Sequence, residues 1–469
     1  MASKKGLHSV TEAFDRMLLT GSDWLTYWGS QDVHHIVMTG LSRSGKSMLF
    51  TSLMALLLER HRASASLPLL KALPLDRVAS VDVRPIAGET VFPLAEHLDA
   101  LQAGQWPPAT EQVYGFELVL TLQSTFWVKR ALGGKQQVVF RFYDYPGEWL
   151  TDLPMLNQSF TNWSNAAWAQ QMNRPQRTFA QAWQEWVAGF DFDQTPDDSL
   201  VDEYVQAYRG YLQAAKSGGI SLLQPGALLL PNEAFDWRQY GFAPLPTAIS
   251  SDPAHPWTQR FQVGFTHFQT QWLQPLRERY FVKADKQVIL VDVLEGLSHG
   301  RAHLNQLKES VSHLASVLVT GARKWYRPAF LSKGHRSRVA FVATKVDLVP
   351  LSEQPALMGL LQDMTAGARS QLSEQQVDFQ HFLVSAIQTT DAGQASNQLR
   401  YTRDASALSE GETGGYVETT FEPIPQKMAG LGESEHYPLL RAAVPKDWWT
   451  RVQHAQSLDR LFEYLIGAK

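Results

Sequence analysis

The chain has 469 residues, 44% of them apolar, with 46 Asp and Glu against 42 Lys and Arg for a formal net charge of −4. That is ample chain for a full hydrophobic core, which excludes a disordered or fibrous class, and the slightly acidic balance offers no global basic field for nucleic acid or an anionic membrane. With no cysteine, disulfides, Cys-ligated zinc or iron–sulfur sites and a cysteine nucleophile are excluded as well.

In chain order, residues 1–19 mix Lys4, Lys5, Glu12, Asp15 and Arg16 into the sequence and contain no apolar signal core. A short apolar run at 35–39 ends at Gly40 and leads into a helical pattern over 46–60, which reads as strand, loop, helix. The apolar stretch 48–58 is interrupted by Thr51 and Ser52 and falls short of the ~20 residues a spanning helix needs, so no transmembrane segment is expected. Residues 116–122 and 137–143, separated by a connection containing Gly133-Gly134, read as an antiparallel pair. From 154 to 280 the periodicity is helical and rich in Gln and Trp, which we read as an inserted helical domain whose tryptophans are core anchors. Continuous apolar strands follow at 288–293, 339–343 and 382–384, with a helix over 305–320. Unbroken apolar strands alternating with helices imply a mostly parallel sheet covered on both faces, hence an α/β fold. Residues 411–435 read as a surface excursion and 458–466 as a closing helix. The expected division is 1–153 and 281–400 for the two parts of the sheet domain, 154–280 for the insertion, and 401–469 for the excursion and closing helix.

Chemistry begins at Gly40-Leu41-Ser42-Arg43-Ser44-Gly45-Lys46-Ser47, a complete G-x-x-x-x-G-K-S between strand and helix. Glycines at that junction let backbone N–H groups turn inward, and with the helix start through Met48 they surround phosphate oxygens. Lys46 reaches the β and γ phosphates and Ser47 offers its hydroxyl to Mg²⁺. Asp144-Tyr145-Pro146-Gly147 follows the second strand of the antiparallel pair; there Asp144 can hold the metal through water and the Gly147 N–H can meet the γ phosphate. Thr344-Lys345-Val346-Asp347 follows the strand at 339–343. A carboxylate at Asp347 can accept the N1 and N2 hydrogens of guanine while the Lys345 stem lies along the base, a pairing adenine does not offer. Ser385-Ala386-Ile387 follows the next strand, where a backbone N–H can meet the guanine O6. Thr110 is the best choice for a metal-coordinating switch threonine, and Arg43 can act as a charge stabiliser on the γ phosphate. The scattered histidines suggest no structural metal.

The ordered set of these four motifs resembles the Ras-like GTPase signature, which implies a P-loop NTPase fold of the Ras-like G-domain type carrying a large helical insertion. More closely, Asp144-Tyr145-Pro146-Gly147-Glu148-Trp149-Leu150, Trp106-Pro107 before a threonine, and the total length are similar to the bacterial YcjX family of stress-associated P-loop proteins. The resemblance implies a cytoplasmic, stress-induced protein that binds GTP or GDP with Mg²⁺, with an unidentified protein effector, an inner-membrane protein being the one it suggests. Thr344 stands where asparagine is commonest in the Ras-like pattern. Glu148 stands where efficient small GTPases carry glutamine, and a carboxylate beside the γ phosphate implies slow unaided hydrolysis. An ATPase and a non-hydrolysing nucleotide-binding scaffold are the alternative readings.

Overall fold

The computed structural model describes residues 33–40, 44–58, 78–108, 113–123, 135–145, 147–220, 222–230, 235–281, 284, 286–321, 338–374, 377–404, 415–432 and 437–466. Among them the chain runs through β1 (Val33–Gly40), α1 (Lys46–Leu58), β2 (Val78–Pro85), β3 (Thr90–Val91), α2 (Leu94–Gln102), β4 (Tyr114–Gln123) and β5 (Lys135–Asp144). A helical segment follows with α3 (Glu148–Asp152), α4 (Phe160–Gln171), α5 (Arg177–Ala188), α6 (Asp198–Ser217) and α7 (Pro256–His267). The chain then returns to the sheet through β6 (Lys286–Val291), α8 (Val293–Ser298), α9 (Arg301–Gly321), β7 (Arg338–Ala343), α10 (Gln354–Met364), α11 (Ala366–Glu374) and β8 (Asp378–Leu383). Last come β9 (Asp391–Ala392), β10 (Gln398–Thr402), β11 (Tyr416–Thr420), α12 (Trp448–Gln453) and α13 (Leu458–Ile466).

Eight strands form one mixed sheet in the order β2-β4-β5-β1-β6-β7-β8, with β3 beside β4. β1 lies between β5 and β6 and is parallel to both, and β6, β7 and β8 continue the parallel array. β4 and β5 are the expected antiparallel pair. The α/β architecture with a mostly parallel sheet is that of a P-loop GTPase-like fold. Side-chain alternation explains why the parallel strands read as unbroken apolar runs: Ile36, Met38, Val288, Leu290, Ala340 and Val342 point into one buried cluster, while Val37, Ile289, Val291, Phe341 and Ala343 point into the other. Covering both faces leaves no polar alternation to see.

Three boundaries differ from the sequence reading. β2 was not expected; it is the edge strand, antiparallel to β4, and its Asp82, Arg84 and Pro85 are what an edge tolerates and a pattern search passes over. The strand expected over 288–293 stops at Val291, because Asp292 Oδ1 accepts from the Glu295 N–H at 3.0 Å and caps α8 instead. Within 411–435, Phe421, Ile424, Met428 and Leu431 are buried and 416–420 pair with β10, so this stretch packs onto the body rather than leaving it.

The helical segment is anchored in two ways. Its aromatic interior includes the buried Trp163, Trp183, Trp237 and Trp257 and runs on without a break into the Val37 face of the sheet. Where it joins the sheet, the fully buried Asp152 at the end of α3 accepts from the backbone N–H groups of Gly226 (2.6 Å) and Ala227 (2.8 Å), and Thr151 Oγ1 donates to Leu223 O at 3.0 Å. A buried carboxylate is tolerable only with such donors. Replacing it by Asp152→Ala leaves two buried N–H groups without acceptors, which costs about 2–4 kcal/mol. We expect that loss in urea unfolding followed by tryptophan fluorescence, whereas a change below about 1 kcal/mol would mean that the contact contributes little.

Candidate functional site

The site is built at the carboxyl ends of the parallel strands. β1 ends at Gly40, whose carbonyl accepts from Lys46 Nζ at 2.8 Å, and Gly45 takes a φ of +85° just before α1 begins. Gly40 has no room for a side chain: a Cβ there would lie 2.3 Å from Ser44 Oγ and 2.9 Å from Leu290 Cβ. The loop therefore depends on glycine at both ends, at one for close approach and at the other for the left-handed backbone. Beyond it, the first N–H groups of α1 have no intrahelical acceptor, the usual condition for holding an anion.

One strand over, β5 ends at the buried Asp144, in register with Met38 of β1. Tyr145 is fully buried against Phe281, with ring centroids 5.2 Å apart, and Trp149 meets Trp272 edge-on at 5.1 Å. Gly147 sits between these two anchors at the start of α3.

On the other side, β7 ends at Ala343, and the chain passes Thr344 and turns through Lys345 in the left-handed region, φ 58°, a conformation that costs a non-glycine residue on the order of 1–3 kcal/mol. The Lys345 ammonium is held 2.5 Å from Asp292 Oδ2. Burial alone pulls the Lys345 pKa down, but the Asp292 carboxylate outweighs it and the net shift is upward. Asp347 is buried, and its Oδ2 accepts from Thr389 N at 3.0 Å and Thr389 Oγ1 at 2.5 Å. Burial raises the Asp347 pKa, and the Thr389 bonds, with a smaller contribution from Ser385, only partly offset that. Thr390 Oγ1 donates to the Asp347 carbonyl and Ser385 Oγ to Ile387 O at 2.5 Å. The loop after β8 thus grips the loop after β7.

These ends open onto a cavity of about 450 Å³, a size common for small-molecule sites. Of the residues picked out in the sequence, Ser44, Gly45, Lys46, Ser47, Met48, Gly147, Thr344, Lys345, Asp347, Ala386 and Ile387 line it. Gly40, Asp144 and Ser385 are buried but are not among the lining residues. Ser42, Arg43 and Thr110 lie outside the described residues, as does the side chain of Glu148, whose backbone opens α3. Residues the sequence reading missed also line the cavity: Glu295, Thr389, Asp404 and 439–442, together with Trp106, whose Nε1 donates to Ala442 O at 3.0 Å. Asp292 had a legible signal in its spacing to Glu295, an N-cap pattern; Thr389 had none.

Among the described residues, the buried Ser44 Oγ and Thr344 Oγ1 find no hydrogen-bond partner, and both residues line the cavity. Unsatisfied buried polar atoms around a lysine and a helix start fit a polar anionic ligand. Among the described residues no three His, Cys, Asp or Glu cluster as a metal cage; the donors at hand, the Ser47 hydroxyl and the Asp144 carboxylate, suit a hard cation that keeps waters and takes phosphate oxygens, as Mg²⁺ does. If the loop holds a polyphosphate, Lys46→Ala lowers affinity for a nucleoside triphosphate about 10- to 100-fold. Calorimetry on a variant shown by circular dichroism to be folded checks this, and unchanged affinity would contradict it.

Comparison with known proteins agrees on one family. The family model described as "YcjX-like family, DUF463" matches residues 35–469. The chain is 27% identical over 369 residues to the Ras-like GTPase YcjX of Escherichia coli K12, an alignment that covers 76% of this chain and 78% of that protein. It is 23% identical over 509 residues to the Ras-like GTPase YcjX of Shewanella oneidensis MR-1, covering 99% and 98%. The match runs from within β1 to the end of the chain and takes in every strand end that opens onto the cavity: the chain belongs to the YcjX-like family.

Proposed function

We propose that this protein binds guanine nucleotides with Mg²⁺ in the 450 Å³ cavity and hydrolyses GTP slowly, as a nucleotide-dependent switch. The observation that carries the reading is the buried Asp347 carboxylate in the same cavity as the glycine loop and Lys46. The names of the two relatives, each a Ras-like GTPase, support the same class.

In this reading the phosphates lie over Gly45, Lys46 and the first turn of α1, and Lys46 moves from the Gly40 carbonyl to the β and γ oxygens. Ser47, with Asp144 through water, holds the Mg²⁺, which when bound neutralises charge building on the phosphates. Asp347 and Lys345 receive the base, and the 385–387 loop receives its O6. Water adds to the γ phosphorus, the bond to the β–γ bridging oxygen breaks, and GDP and phosphate leave. Glu148 follows Gly147 where a neutral water-orienting side chain would be efficient, so the unaided rate is low. Arg43 and Thr110 belong to the same proposal, as charge stabiliser and as metal-coordinating switch residue.

The switch element is the Gly147 loop. Tyr145, Trp149, Thr151 and Asp152 tie both of its flanks to the helical segment, so a γ phosphate that draws Gly147 inward pulls on that segment. The family resemblance supplies the setting, a bacterial stress response in the cytoplasm, with an unidentified protein effector, an inner-membrane protein being the one it suggests.

Nucleotide competition tests the guanine reading. Adenine lacks the N1–H that a buried carboxylate requires, and such mismatches cost on the order of 10⁴ in discrimination. We expect ATP to fail to displace labelled GDP where GTP succeeds, and Asp347→Asn to move the preference toward xanthine nucleotides. Displacement by ATP as effective as by GTP would leave the guanine reading without support.

A further inference from the structure

The cavity has a wall that neither phosphates nor base account for. Gly45, Lys46 and Ser47 stand at one end and Lys345, Asp347 and Ile387 at the other, while Asp404 and 439–442 belong to neither and line it as well. Residues 402–404 run antiparallel to 441–443: Ala443 N donates to Thr402 O at 2.8 Å, Asp404 N donates to Arg441 O at 2.9 Å, and Arg403 pairs with Ala442 between them. Trp106 Nε1, 3.0 Å from Ala442 O, ties this ribbon to the neighbouring Pro107 and Pro108, which also line the cavity. Residues directly opposite in an antiparallel pair carry their side chains on the same face. Asp404 and Arg441 are such a pair and both are lining residues, so a carboxylate and a guanidinium share one face of this wall.

In a nucleotide that spans the two ends, the ribose lies between phosphates and base, and the sugar is the part left for this wall. A ribose carries two neighbouring hydroxyls, each both a donor and an acceptor. A carboxylate accepts from them and a guanidinium donates to them, and bonds to a charged group are the strong ones. We infer that Asp404 reads the sugar of the bound nucleotide through its 2′ and 3′ hydroxyls, with Arg441 beside it, so that the site selects ribonucleotides over nucleotides whose sugar lacks these hydroxyls. The inference rests on the nucleotide reading proposed above and deepens it by adding the sugar to the substrate class.

Titration of the full chain with GDP, 2′,3′-dideoxy-GDP and ADP in the presence of Mg²⁺ tests it. We expect dideoxy-GDP to bind at least about tenfold more weakly than GDP, the lower end of what hydrogen bonds to a charged group contribute; a smaller penalty overturns the inference. Asp404→Ala should weaken GDP by about tenfold and leave dideoxy-GDP where it was, which closes the gap between them. A gap as wide as in the wild type, in a variant with unaltered circular dichroism, overturns the assignment to Asp404, and the wild-type comparison decides the matter even if that variant does not fold. ADP binding as tightly as GDP overturns the guanine reading alone, because the sugar comparison is made at constant base. Failure of GDP itself to bind overturns both.

Discussion

The arrangement of this protein depends on β1 lying between two parallel neighbours. Pairing with β5 on one side and β6 on the other forces the carboxyl ends of five parallel strands to a common edge. Gly40, Asp144, Asp292, Thr344 and Val384 all stand at or just beyond it. Because both faces of the sheet are buried, that edge is where the chain can leave backbone donors and charged side chains facing a shared space without breaking the core. Groups remote in sequence, such as Lys46 and Asp347, line one cavity for that reason.

Polar groups at the edge are fixed by one another rather than by solvent. Asp292 both caps α8 and holds the Lys345 ammonium, which offsets the strained backbone at Lys345. Thr389 and Thr390 hold the side chain and carbonyl of Asp347. In turn the Thr389 loop is pinned from behind, since Arg451 of α12 donates to Gln388 O at 3.3 Å and pairs with Asp391 at 3.0 Å. Val384, Ala386, Ile387, Thr389, Asp404 and 439–442, with Trp106 bonded to Ala442, therefore form part of the cavity wall. On the opposite flank, Asp152 joins the Gly147 loop to the turn at 226–229 through two charge-assisted bonds, and the rings of Tyr145 and Trp149 fill the remaining interface. A loop clamped at both ends to a large aromatic core transmits displacement better than it absorbs it.

What could be read in advance followed from how local each constraint is. The parallel strands were legible because burial on both faces leaves continuous apolar runs, and the glycine loop because Gly40 and Gly45 meet demands no other residue meets. The hairpin of β4 and β5 and the closing helix α13 came through for the same reason. β2 did not, since Ser80, Asp82 and Arg84 leave only Val81 and Val83 alternating with them, a run too short to stand out before Pro85. Asp292 stood inside an apolar run, and its spacing to Glu295 signals the cap but not the ion pair with Lys345. Thr389 and Asp152 act on partners 42 and 74 residues away in sequence, a kind of contact that composition and spacing do not encode.

If Asp152 couples the glycine-loop end of the cavity to the helical segment, the two move as one unit when a nucleotide binds. The most direct measurement is amide hydrogen exchange at Gly226 and Ala227, whose N–H groups bond to that carboxylate, compared at saturation with Mg²⁺ and either GDP or a nonhydrolysable GTP analogue. We expect slower exchange with the triphosphate analogue at these two amides and along 148–160, and loss of the difference in Gly147→Ala. Equal exchange in the two nucleotide states would contradict the coupling and leave the helical segment a rigid part of the scaffold.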